Sequence, residues 1–296
     1  MIALVTDSTA GLPPELAAEL GARVVPLHVL LDGESFVEGV DIGPDEVAAA
    51  LREGRRVSTS KPSAGAFLDV YEEAVAEGAE QIVSVHLSSA MSGTIASARV
   101  AADELEVPVT VVDSRSLGMA LGYAVATASG AIAQGTSVAS VAAAARERAE
   151  TASTVFYVDT LEYLRRGGRI GRASALVGSA LAIKPLLQLS EGEVGPLERV
   201  RTSSKALARL EERTVEAAEA AADNPLGLDI AVQHVDAGER AEALRDRLRE
   251  RCPDAHEVRL VGLGAVVAAH AGPGAIGTVV SPRVRTTPPV IGAAAV

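Results

Sequence analysis

A chain of 296 residues with 27 Lys and Arg against 39 Asp and Glu carries a formal net charge of −12. That balance argues against a sequence-independent grip on DNA or RNA, which needs a basic surface to neutralise phosphates. Aromatics make up 2 % with no tryptophan, which removes base-stacking platforms, while the 48 % of apolar residues must build the interior largely from Ala, Val, Leu, Ile and Gly.

The length suits two domains of ordinary size. The N-terminus, MIALVTDSTAGLPPEL, has no basic lead and no long apolar run, so it reads as a first strand and turn instead of a signal peptide. A helix over Pro13 to Leu20 follows. TSKPSAGAF places Thr59 and Ser60 just ahead of Pro62 and reads as a capped helix start, with the helix running over Ala64 to Ala76. QIVSVHLSS is the next strand, and Ser92, Gly93 and Thr94 fall at the start of a helix over Thr94 to Leu105. VTVVDSRS leads into a helix over Ser116 to Ala133, and another from Ser137 to Glu150 closes the first half. This alternation predicts an α/β N-terminal domain, residues 1–152, with a mostly parallel sheet covered by helices.

From Ser153 the texture changes. TVFYVDTLEYLRRGGRIGRAS is followed by a hairpin-like LLQLSEGEVGPLERVRT, a long helix, the strand LDIAVQHV, a helix, and VRLVGLGAVVAAHAGPGAIGTVV. Hairpin signals mixed with helices predict a C-terminal α+β domain with a mixed sheet, residues 153–285. The Pro-rich end, residues 286–296, reads as a loose tail. The longest apolar stretches, Leu117 to Ala133 and Val258 to Val280, are interrupted by Gly, Ser, Thr, His or Pro, so no membrane span is expected. The only cysteine, Cys252, can form no internal disulfide and no Cys-rich zinc site, and it fits a reducing, cytoplasmic compartment.

Three strand-to-helix turns are loaded with hydroxyls: DSTAGLPPEL, TSKPSAGAF and HLSSAMSGT. In an open parallel sheet, ligands sit where strands end and helices begin, because backbone N–H groups and the helix dipole point there. For any one Ser or Thr the plainer role is N-capping. Taken together, the three suit a small anion, a carboxylate or a phosphate, held by charge-assisted hydrogen bonds. Other signatures fail. GPGAIG at Gly272 to Gly277 has the dinucleotide spacing but no following helix or acidic ribose partner, and no phosphate-loop or nucleophile-elbow motif occurs. The five histidines show no H-x-x-x-H spacing, and neither a metal nor a cofactor is expected.

TSKPSAGAF, HLSSAMSGTIASA, VDSRSLGMALG, LEYLRRGGRIG, IKPLLQLSEGEVGPLERVRTSSKAL and HAGPGAIG occur in the order and spacing of DegV family proteins. The chain resembles that family over nearly its whole length. The resemblance implies a lipid-binding protein similar to the fatty-acid-binding subunits of bacterial fatty acid kinase, in which a separate kinase phosphorylates the bound acyl carboxylate for phospholipid metabolism. It implies no catalytic residue in this chain. The expected carboxylate contacts are Thr59 or Ser60 and Ser92, with Gly93 and Thr94 beside them and Arg169 and His270 near the head group. The expected partners are a long-chain fatty acid, a fatty acid kinase subunit and a membrane surface touched in passing, with no nucleic acid. Where the family usually has Gln before Pro62 and Leu before Ser92, this chain has Lys61 and Met91; Lys61 adds a charge near the mouth.

Each site residue also has a plainer account. A histidine such as His270, read as lying in an apolar strand, is commonly a satisfied core residue. Arg165, Arg166, Arg169 and Arg172 surround a Gly pair and suit a solvated loop, from which Arg169 alone is expected to turn inward. Arg201 could face either the site or the kinase. The acyl chain is expected in a slot among small side chains of the first domain, with the second closing over the head group. Two alternatives stand beside this: a hydrolase or acyltransferase with Ser92 as nucleophile and His270 as base, and a phosphometabolite-binding regulatory module.

Overall fold

The computed structural model describes residues 1–176 and 184–286; most of the expected tail, residues 287–296, lies outside the described residues. The chain opens with β1 (Ile2–Asp7), α1 (Pro14–Glu19) and β2 (Ala22–Val25). An excursion follows, made of β3 (His28–Leu31), β4 (Glu34–Val37), α2 (Pro44–Arg52) and β5 (Val57–Ser60). Then come α3 (Ala64–Ala76), β6 (Gln81–His86), α4 (Thr94–Glu104), β7 (Val109–Asp113), α5 (Met119–Ala133) and α6 (Val138–Glu150). Strands β1, β2, β6 and β7 form an all-parallel sheet in the order β2-β1-β6-β7. Phe67, Tyr71 and Ala98 of α3 and α4 pack on one face against Val5, Val25 and Ile82. Leu121 and Val125 of α5, with Val141 and Ala145 of α6, cover the other through Val83, Val85 and Val112. Burial on both faces explains why these strands read as apolar runs without clean alternation.

The remaining elements are β8 (Ser153–Tyr157), α7 (Glu162–Arg166), β9 (Lys184–Ser190), β10 (Glu193–Val200), α8 (Ser203–Ala220), β11 (Leu228–His234), α9 (Gly238–Arg251), β12 (Glu257–Gly262), α10 (Ala265–Ala271) and β13 (Ile276–Pro282). They build a six-stranded mixed sheet, β10-β9-β8-β13-β11-β12, in which only the β11–β12 pairing is parallel. Helices α8 and α9 bury Leu210, Leu244 and Leu248 against one face. On the other face, Met119, Ala120 and Tyr123 of α5 meet Ala231, Val261 and Val279. Helix α5 therefore serves both sheets, and its small side chains let it fit between them. The α/β class and the mixed second sheet are as the sequence predicts. Among the described residues, no helix is long and apolar enough to cross a membrane.

Two features differ from the sequence expectation. The excursion was not anticipated: its strands pair only with one another, in the order β4-β3-β5, and Leu27, Val29, Val47 and Leu51 bury themselves against Ala265, Ala268 and Leu164 of α10 and α7. Thr59 and Ser60 end its last strand instead of starting a helix, because Ser63 is the residue whose side chain accepts the Ala66 N–H and caps α3.

A buried ion pair joins the first-half helices to the second sheet. Arg148 of α6, 3 % exposed, donates to Asp229 of β11, 4 % exposed, beneath the Tyr123 ring. Arg283 adds a second donor to Asp229 at 3.0 Å. Removing one partner leaves the other charge buried and uncompensated, so Asp229→Ala should cost about 3 kcal/mol in urea unfolding. Replacing both, Arg148→Met with Asp229→Leu, should restore most of it.

Candidate functional site

An apolar cavity lies between the excursion, the first sheet's strand-to-helix junctions and the second sheet. Thr59, Ser60, Ser92, Arg169 and His270 all line it. Gly93 and Thr94 do not. Gly93 borders an outer groove with Ser89, Met91, Ser92, Gly168 and Arg169, and Thr94 is buried behind Ser92, where its hydroxyl and backbone N–H meet the Ser92 hydroxyl at 2.8 and 3.3 Å. Arg201 is exposed just ahead of α8 and is not among the cavity residues. The wall is also not the small-residue slot of the first half that the sequence suggested. Leu27, Leu87 and Leu117 come from the first half, but Leu164, Leu189, Val266 and Ile276 come from the second, because α5 fills the space between the sheets and leaves room only beside it.

His270 belongs to helix α10, not to a strand. Glu38 fixes that helix: its carboxylate accepts the Val266 N–H at 2.8 Å and the Ser8 hydroxyl, and burial raises its pKa above the usual carboxylate value against the opposing effect of those bonds. At the other end of α10, His270 Nε2 lies 2.8 Å from Thr59 Oγ1, while Nδ1 is buried with no partner among the described residues. A Cβ on Gly167 would fall 2.0 Å from that Nδ1, so the ring needs glycine there. Burial, followed by the charge of Arg169, pushes the His270 pKa down to about 4, so the ring is neutral at neutral pH. Leaving a lone pair unmet costs less than burying an unmet N–H, so the proton belongs on Nε2, donating to Thr59. The Thr59 hydroxyl proton is then free to point into the cavity.

Arg169 turns inward. Its Nε donates to Met91 O at 3.0 Å and its Nη1 to Gly167 O at 2.7 Å, while Nη2 has no partner among the described residues. Arg165 and Arg166 instead share Glu162 at the surface, and Arg172 bonds Glu191 and the Ser190 carbonyl. The Lys61 ammonium is directed at Ser97 Oγ, 2.9 Å away on α4. The cavity thus offers one guanidinium, a neutral histidine and hydroxyls at one end, and hydrocarbon over most of its wall.

The hydrolase geometry is not present at Ser92: His270 Nε2 is engaged by Thr59, and among the described residues no carboxylate meets Nδ1. A Ser–His–Asp relay does occur elsewhere. Ser84 Oγ lies 2.6 Å from His86 Nε2, whose Nδ1 lies 3.0 Å from Asp7 Oδ2, and Tyr71 Oη is 2.8 Å from Ser84. Asp7, Ser84, His86 and Tyr71 are all fully buried, so no substrate could reach them; Asp7 also accepts the Leu87 and Thr9 N–H groups and pins two junctions together. Sequence reading passed over this relay, and also over Gln233 and Thr154 on the cavity wall. A lone amide in the apolar strand LDIAVQHV was the available signal for Gln233.

The family model for uncharacterised proteins of the DegV family matches residues 1–283. The chain belongs to the DegV family. A DegV domain-containing protein of Streptomyces coelicolor is 49 % identical over 282 residues, 95 % of this chain and 99 % of that one. Two solved DegV structures are similar. One, from Thermus thermophilus and described for its fatty acid binding, is 36 % identical with a TM-score of 0.88 over 95 % of this chain and 99 % of that one. The other, DegV of Bacillus subtilis, described as a fatty acid binding protein, is 31 % identical with a TM-score of 0.85 over 95 % and 98 %.

The buried His270 gives this DegV chain a testable acid response. In the unfolded chain the ring titrates near 6.5, whereas in the native protein its pKa is about 4, so between those values the unfolded state holds more protons. The His270 contribution to stability is therefore complete above the unfolded value and falls by about 3 kcal/mol as the pH drops through this window. His270→Gln should flatten that part of the acid limb, measured as the difference in urea midpoint between neutral pH and about pH 4 on lipid-free protein.

Proposed function

We propose that this protein binds a long-chain fatty acid in the cavity, with its carboxylate at Thr59, Ser60, Ser92 and Arg169, and presents that carboxylate to a separate kinase subunit. The observation that carries the reading is the pairing of an apolar lumen with one cation free to meet a ligand: of the two cationic residues on its wall, Lys61 donates to Ser97, while Arg169 keeps an Nη2 that has no partner among the described residues. With His270 neutral and the Lys61 ammonium held at Ser97, Arg169 is the counter-charge for one carboxylate, and the Thr59 hydroxyl is oriented to donate to it. The fatty-acid binding described for the similar Thermus thermophilus and Bacillus subtilis proteins supports the same ligand class. The kinase partner rests on the family resemblance, and on the position of Ser92 and Arg169 beside the outer groove, where a carboxylate would be within a partner's reach.

The tail supplies affinity and the head group supplies orientation. Each buried CH₂ contributes about 0.8 kcal/mol, so a dozen contribute roughly 10 kcal/mol before the cost of association. Hydrogen bonds to the carboxylate largely offset its desolvation. No residue here acts as a base or nucleophile in this scheme, because the carboxylate oxygen itself attacks the phosphoryl group.

Organic extraction of the purified protein followed by mass spectrometry should release a long-chain carboxylic acid, at about one per chain. Recovery of sugar or nucleotide phosphates instead would favour a phosphometabolite module. Ser92→Ala should lower acyl-phosphate formation with a matching kinase and ATP by about tenfold, while acid binding changes less, on the order of threefold. Unchanged acyl-phosphate formation would remove Ser92 from the head-group site.

A further inference from the structure

Two polar groups on the inner wall of the cavity take no part in the head-group cluster. Gln233 of β11 is 3 % exposed and Thr154 of β8 is 6 % exposed, and both line the lumen. Gln233 Oε1 accepts the N–H of Met119, the first residue of α5, at 2.9 Å, which fixes the orientation of the amide. Its Nε2 then carries two N–H donors, and among the described residues nothing accepts from them. Thr154 Oγ1 likewise has no partner there. In the sheet, Gly277 of β13 pairs with Phe156 of β8 on one side and with Gln233 on the other. A Cβ at Gly277 would stand 3.0 Å from Phe156 Cβ and 3.7 Å from Gln233 Nε2, so the missing side chain leaves the amide uncovered.

The Gln233 amide hydrogens and the Thr154 hydroxyl face the lumen without a partner among the described residues, and a plain hydrocarbon filling it would cut them off from water without meeting them. We propose, resting on the fatty-acid reading above, that Gln233 and Thr154 form a second polar subsite, selecting a long-chain fatty acid with a hydroxyl or oxo oxygen on its hydrocarbon chain. The amide N–H must donate, so the ligand atom must accept, and a hydroxyl can also donate in return to Thr154 Oγ1. A second carboxylate does not suit the subsite. Among the described residues, the only Lys and Arg lining the cavity are Lys61, turned to Ser97, and Arg169, which borders the outer groove.

The test uses lipid-free protein and competition against a fluorescent fatty acid. Stearic acid is compared with a set of stearic acids, each hydroxylated at a different chain carbon. One positional isomer should bind about tenfold more tightly than stearic acid, and Thr154→Val should lower that ratio severalfold. Equal or weaker binding by every hydroxylated isomer overturns the subsite and leaves the fatty-acid reading intact; that outcome is expected if the amide is simply met by a trapped water. Failure of every acid, stearic included, overturns both. The ligand comparison on the unaltered protein decides the matter even if Thr154→Val folds poorly.

Discussion

The cavity depends on one buried carboxylate that links two distant stretches of chain. Glu38, 7 % exposed, accepts hydrogen bonds from the Ser8 hydroxyl just past the first strand and from a backbone N–H at the start of helix α10. Ser8 in turn accepts the Leu27 N–H at 2.9 Å where the excursion begins. A seven-residue helix has little intrinsic stability, and its unpaired N-terminal N–H groups need partners from elsewhere. With Glu38 in place, α10 is held against α2 and the small sheet, and His270 is brought to Thr59 across 211 residues of sequence.

Two sets of interior polar groups contrast. The Ser84–His86–Asp7 relay is closed on itself and on neighbouring backbone, so it has nothing left to offer a ligand. Around the cavity the opposite holds: Arg169, Gln233 and Thr154 each keep hydrogen-bonding capacity that the described residues do not use. Resemblance to a catalytic triad is therefore a poor guide here. Unspent donors facing empty space are the better one, since a folded chain tolerates few of them without reason.

Much of the fold was legible in the sequence because its parallel strands are bounded by clear turns. Helix α3 runs from Ala64 to Ala76 as the amphipathic pattern suggests, and the motif order placed the chain in its family. The excursion was not legible: strands of four residues are too short to show a period, and β4 is exposed at half its positions. His270 was read in a strand because the Val-Val-Ala-Ala run before it is apolar on every side, and periodicity cannot separate a buried helix from a buried strand. The hydroxyls of Thr59 and Ser92 could be named from local motifs. That the second half supplies most of the hydrocarbon wall could not, because it follows from α5 being wedged between two sheets.

The small sheet has a mechanical consequence. Strands β3, β4 and β5 pair only among themselves, and among the described residues no backbone-to-backbone hydrogen bond ties Leu27 to Ser60 to either large sheet. This flap is fastened by its two chain ends and by side chains, among them Ser8, Glu38, Thr59, Arg52 paired with Asp236, and an apolar underside. Peeling it back would sever no rung of the main ladders, and it also carries Leu27 and Thr59, part of the chamber's lining. Displacing this wall of the chamber would therefore break side-chain contacts while leaving both large sheets whole.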